Sequence, residues 1–178
     1  MASASIPRDR VSARIALVEQ HIRLENEHDL EGVLRTFGDT ALYDDEPWNE
    51  HYKGRNRVRV FYEQLMNALP DLEIEVRRRH VTDDDILVEV MIRGTHLGWW
   101  RGLPATGRRI EFPLCGVYTF DADDRLAGEK IYYDRGTVLR QLGVFREPQS
   151  VFGQVLILVT HPITIARAFA RKILGADK

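Results

Sequence analysis

One histidine and one aspartate stand where short apolar runs give way to glycine-rich or polar turns: His96 in Gly94-Thr95-His96-Leu97-Gly98, and Asp134 directly after Tyr132 and Tyr133. An imidazole and a carboxylate can trade protons near neutral pH. A carboxylate at the wall of an apolar pocket is poorly solvated, so its pKa climbs toward the working range. A neighbouring imidazole can stabilise charge developing on a substrate oxygen. Such a pair is a candidate for acid–base chemistry. Plainer roles compete with this one: Asp134 can cap a helix starting near Gly136-Thr137, and His96 can be a turn residue or a satisfied structural histidine. By alternation Tyr132 shares the face of Asp134 and is expected to line the pocket. Trp99, in a glycine-rich loop, is a candidate lid residue or apolar cover at a subunit contact.

The elements that would position these groups are legible from hydrophobic spacing. Val11, Ile15, Val18 and Ile22 predict a helix over Arg8 to Glu27. Asp29 can cap a second, short helix with Leu30, Val33, Leu34 and Phe37 facing inward. A strand near Ala41 to Asp44 and a loop through Pro47 and Gly54 lead to a third helix marked by Val58, Phe61, Leu65 and Leu69, which Pro70-Asp71 ends. From Leu72 the period becomes two, as a half-buried strand requires. Three further strands follow, Ile86 to His96, Arg109 to Phe120 and Leu126 to Asp134, separated by polar turns at Asp83-Asp84-Asp85 and Asp121 to Asp124. Three helices and then an antiparallel meander predict an α+β layer structure whose curved sheet and helices enclose a cone. Tyr43, Phe61, Phe112 and Tyr118 are expected on its wall.

The chain has 178 residues, enough for one domain with a real core. Its formal net charge of -2 lacks the basic footprint of a nucleic-acid binder. A single cysteine, Cys115, leaves no internal disulfide framework and no multi-cysteine metal site, in keeping with a cytoplasmic setting. Met1 to Arg10 has no secretory pattern and is taken as a tail over residues 1–7. Three adjacent aspartates at 83–85 are read as a solvated turn, because alone they make a poor cation cage.

The order of three helices, Leu69-Pro70-Asp71-Leu72, Gly94-Thr95-His96, Gly102-Leu103-Pro104-Ala105-Thr106-Gly107-Arg108, Asp134 and Gln141-Leu142-Gly143 resembles the SnoaL-like polyketide cyclase or ester cyclase family of the nuclear transport factor 2-like superfamily. The resemblance covers about Arg8 to Val144, with a domain expected over 8–146. It implies a cone-shaped α+β barrel of the cystatin-like kind with an apolar pocket, commonly dimeric, working without metal or organic cofactor. It implies Asp134 as general base, forming an enolate that attacks a second carbonyl, and His96 as hydrogen-bond donor to the substrate oxygen or proton shuttle. The substrate class implied is a bulky apolar ketone. The chain departs from the family pattern at Tyr132, where a second histidine is common, and at Asp44-Asp45-Glu46, where many members carry His or Asn. A ketosteroid-isomerase-like proton transfer, needing one carboxylate and oxyanion donors such as Tyr43 or Tyr118, is the alternative chemistry. A non-catalytic domain binding small hydrophobic ligands is the alternative class.

Residues 147–178 lie outside the resemblance. Val151 to Val159 is an apolar run, and a helix from Pro162 carries Ile163, Ala166, Phe169 and Ile173 on one face with Arg167, Arg171 and Lys172 on the other. Nine apolar residues fall short of the roughly twenty a membrane span needs. The segment is expected to be a helical pair packing on the domain or a second subunit, with weak contact to a membrane surface as the alternative.

Overall fold

Asp29 separates two helices because its carboxylate accepts the Gly32 N–H (2.9 Å), closing one helix end and starting the next. The computed structural model describes residues 7–147 and 149–173; of the tail expected over 1–7, all but Pro7 lies outside these. Helix α1 (Arg8–Asn26) buries only part of the face that apolar spacing selects, Val18 and Ile22. Its buried stripe is Arg14, Val18, His21, Ile22 and Glu25, while Val11 and Ile15 are only half-buried. Three ionisable groups on the inner face are the first sign that the interior is not simple core. Arg14 is accounted for by an ion pair to Asp124 (2.7 Å) and by stacking over Phe120. Helix α2 (Leu30–Thr36) runs straight into strand β1 (Phe37–Asp45), and α3 (Arg55–Ala68) buries Val58, Phe61 and Tyr62.

The sheet has six strands: β1, β2 (Glu50–Lys53), β3 (Glu73–Val81), β4 (Asp85–Thr95), β5 (Arg109–Phe120) and β6 (Leu126–Tyr133), in the order β2-β1-β6-β5-β4-β3. The antiparallel meander expected of the last four strands is present as β3 to β6. The sheet is not wholly antiparallel, because β1 pairs with β6 in parallel, Tyr43 opposite Glu129 and Asp45 opposite Ile131. Nor is it a closed barrel: β2 and β3 are its two edges. The segment read as a loop after Asp44 holds β2, because a 3-10 turn at Glu46–Trp48 and Asn49 in the left-handed region (φ 53) fold the chain back along β1. Asparagine tolerates that conformation better than most residues.

Along the long strands side chains alternate between faces. Ile86, Val88, Val90 and Ile92 of β4, Ile110 and Phe112 of β5, and Glu129 and Ile131 of β6 are buried inward, with helix residues Val33, Leu34, Phe61 and Tyr62 in the same core. Helix α4 (Arg135–Gln141) follows β6 and buries Val138. Two compact units result, residues 1–142 and 143–178. The second holds α5 (Val151–Thr160), capped by Ser150 on the Gly153 N–H (3.0 Å), and α6 (Pro162–Ile173), bent by 101° at the break between them.

Candidate active site

Between α1, α3 and the inner face of the sheet lies a cavity holding about 680 Å³ of space free of atoms, part of it open to solvent. Aliphatic and aromatic side chains form most of its wall, and a few ionisable groups interrupt it: Asp45, Arg101 and Tyr133 in one place, Glu25, Glu129 and Tyr118 in another. Strand register sets their separation. Asp45 neighbours Ile131 and Tyr43 neighbours Glu129, so the two acidic centres are two residues apart along paired strands, roughly 7 Å.

Asp45 ends β1 and is 1 % exposed. Its Oδ2 accepts from Arg101 Nη2 (2.5 Å) and, more weakly, from the Tyr133 hydroxyl (3.4 Å); its Oδ1 has no protein partner. Burial pushes its pKa up to about 6, against the opposing pull of the Arg101 guanidinium. Arg101 is also ion-paired to Glu50, and its guanidinium lies over the Trp48 ring (4.7 Å) and the Trp100 ring (5.4 Å). Its backbone is left-handed (φ 50), uncommon for an arginine, and it precedes Gly102 (φ 80) in the turn that brings a loop cation onto a strand-end acid 56 positions away.

The second centre is His21, Glu25 and Glu129, with Tyr62 and Thr36 behind it, all buried. The Thr36 hydroxyl spends its hydrogen on the Val33 carbonyl (2.6 Å), so it accepts from His21 Nδ1–H (2.7 Å). Tyr62 donates to Glu129 Oε2 (2.9 Å), which leaves His21 Nε2, 3.0 Å from that phenol oxygen and 3.2 Å from the same carboxylate, placed to donate as well. Both ring nitrogens thus face acceptors, an arrangement that favours positive charge on His21. Burial works against that charge, but Glu25 and Glu129 outweigh it and the pKa is raised. Glu25, its Oε1 3.8 Å from Nε2, is pushed up to about 8, mainly by burial and further by Glu129. Near neutral pH burial thus favours the carboxylic acid form of Glu25, beside an imidazole whose positive charge is favoured by its acidic neighbours. Among the described residues these three also have ligand atoms within 4.8 Å of one another, a spacing that suits a cation. The hydrogen bonds just described already occupy His21 Nε2 and the facing oxygen of Glu129, so a cation would have to displace the Nε2 proton.

Of the predicted residues, Tyr43, Phe61, Phe112 and Tyr118 lie on the cavity wall. Asp134 and His96 do not. Asp134 caps α4: its oxygens accept from the Gly136 N–H (2.8 Å), the Thr137 hydroxyl (2.5 Å) and Arg140 (3.3 Å), and its side chain is 65 % exposed. Those donors hold its pKa below the usual value, the opposite of what a base at an apolar wall needs. His96 is buried, its Nδ1 met by the Thr106 hydroxyl (3.1 Å) and N–H (3.3 Å), and it sits edge-on to Trp100, which does line the cavity. Burial lowers its pKa. Tyr132 is corrected as well: it is exposed on the outer face of the sheet, in a shallow groove that also includes Glu89 and Cys115, whereas Trp99 is exposed outside the cavity wall. Alternation places Tyr133, not Tyr132, on the wall. Replacing Asp134 with Ala should lower the thermal midpoint by a few degrees through loss of the cap and leave turnover within about twofold of wild type. Differential scanning fluorimetry beside a rate assay checks this.

The α+β unit thus holds a partly open cavity whose apolar wall carries two separated acid centres. The SnoaL-like polyketide cyclase model matches residues 15–142, and the chain belongs to that family. No curated protein sequence matches it. Among solved structures, TsrD from Streptomyces laurentii is similar at 22 % identity with TM-score 0.64, over 79 % of this chain and 100 % of that one. SalBIII, an epoxide hydrolase/cyclase-like enzyme of pyran ring formation in the polyether salinomycin, is similar at 16 % identity and TM-score 0.61, over 71 % and 94 %. A protein with ketosteroid isomerase-like fold from Catenulispora acidiphila is similar at 14 % identity and TM-score 0.61, over 72 % and 93 %. These likenesses show the fold; family membership supports a cyclase-type role.

Proposed function

We propose that the protein is an acid–base enzyme that converts a small, largely apolar carbonyl compound, with Asp45 as the base. The observation that carries this reading is a buried carboxylate on an apolar wall, one oxygen fixed by Arg101 and the other free, with a pKa raised to about 6. The free Oδ1 takes a proton from the carbon next to the substrate carbonyl. Negative charge moves to the carbonyl oxygen, which the Glu25 carboxylic acid can meet with a hydrogen bond or a proton. In ring closure the enolate carbon then forms a bond to a second carbonyl carbon in the same molecule, whose oxygen takes up a proton. In isomerisation Asp45 instead returns its proton to a different carbon. The family favours ring closure. Neither route calls for a redox step.

Exchange of substrate protons for deuterium tests the reading. In D2O the wild-type protein should speed loss of the α-proton NMR signal of bicyclic or aryl ketones that bind the cavity. Ketones that bind without accelerated exchange would leave a binding domain in place of an enzyme.

A further inference from the structure

The C-terminal unit is built unlike the rest of the chain. Over Val151–Thr160 there is no charged residue, and Val151, Phe152, Val155, Leu156, Leu158 and Val159 are all exposed, from 42 to 82 %. A helix apolar all round belongs inside a protein core or in lipid. Helix α6 is amphipathic instead: on the helical wheel Thr164, Arg167, Arg171 and Lys172 fall on one arc, Ile163, Ala166 and Phe169 on the opposite one. Residues 148–176 contain no Asp or Glu, and the chain's net charge of -2 divides into +3 over 143–178 and -5 over 1–142. The family model ends at 142, so this unit is an addition to the fold.

We propose that α5 and α6 form a monotopic anchor on an anionic lipid surface. Ten helical residues reach about 15 Å, half the hydrocarbon thickness of a bilayer, so α5 can enter one leaflet and cannot cross. The 101° bend then lets α6 lie along the interface, Phe169 and Ile163 toward the acyl chains and three cations toward lipid phosphates. Charge argues for lipid over a second copy of the chain, since α5 and α6 carry cations and no acid that could pair with the cations of a second copy. No single helix among the described residues is long and apolar enough to cross a membrane. The inference does not depend on the cavity's chemistry.

The test is flotation of the full chain with vesicles of phosphatidylcholine, with and without phosphatidylserine. The wild type should float with the anionic vesicles, less so at high salt. Each cation at such a surface is worth about fivefold in partition, so Arg167→Glu with Arg171→Glu should cut it by at least about 25-fold. Phe152→Asp with Leu158→Asp should abolish binding to both compositions. Unchanged circular dichroism and thermal midpoint would show the variants folded. A wild type that stays with the soluble fraction overturns the proposal. So does vesicle binding indifferent to both pairs of substitutions, or a dimer that Phe152→Asp dissociates while no vesicle is bound.

Discussion

Asp45→Asn should lower turnover of an accepted ketone by about 10²–10⁴-fold, the usual range for loss of a general base, while leaving ligand binding and fold intact. The amide keeps an oxygen for Arg101, and Glu50 still balances the guanidinium. The pH profile carries the same assignment. The base must be unprotonated, so kcat/KM should fall below about pH 6, where Asp45 gains its proton. The acid must be protonated, so the rate should fall again above about pH 8, where Glu25 loses its own. Because the base has the lower pKa of the two, the productive form is the prevailing one between these limits, and the profile should be a bell with its plateau near pH 7. In Glu25→Gln the alkaline limb should disappear and the acid limb remain. A profile flat from pH 5 to 9, or an Asp45→Asn variant as active as wild type, would remove Asp45 from the mechanism.

How far the sequence announces this site can be traced residue by residue. Helix order, the Asp29 cap, the long β4 and β5 ladder and the burial of Tyr43, Phe61, Phe112 and Tyr118 all follow from periodicity, because each is a local pattern repeated over many residues. The acid centres follow from no such pattern. His21 and Glu25 share a helix face at i and i+4, which on a surface reads as an exposed pair, and only the depth of α1 in the fold turns them inward. Arg101 reaches Asp45 across 56 positions by way of a left-handed backbone that spacing does not reveal. Two signals were present nonetheless. The run Asp44-Asp45-Glu46 marks a departure from the family pattern at a strand end that borders the cavity. On β6 the inward register Glu129, Ile131, Tyr133 is the alternative to the one that puts Tyr132 on the wall, and a shift of one residue exchanges the two faces.

The buried cluster should also make the protein less stable as pH rises from 5 to 8, the reverse of the more familiar loss of stability in acid. Glu25 holds its proton to about pH 8 in the folded chain and to about 4.5 when unfolded, so between these values the folded state binds more protons and each rise in pH favours unfolding. His21, raised above 6.5, adds in the same sense over the upper part of that window, and Asp45, raised from 3.8 to about 6, over the lower part. The acids with lowered pKa, Asp71 and Asp124 among them, oppose this trend only below about pH 4, where they take up protons. One proton bound differently is worth about 1.4 kcal/mol per pH unit at most, so a loss of a few kcal/mol between pH 5 and 8 is expected, read as a falling urea midpoint. Glu25→Gln, which keeps the shape and removes the titration, should flatten the curve. His21→Leu should do the opposite, leaving Glu129 buried without its cation, at a cost of about 3–5 kcal/mol near neutral pH. A urea midpoint level from pH 5 to 8 in the wild type would mean that Glu25 is ionised in the folded chain, and the cavity would then hold no carboxylic acid to meet a developing oxyanion.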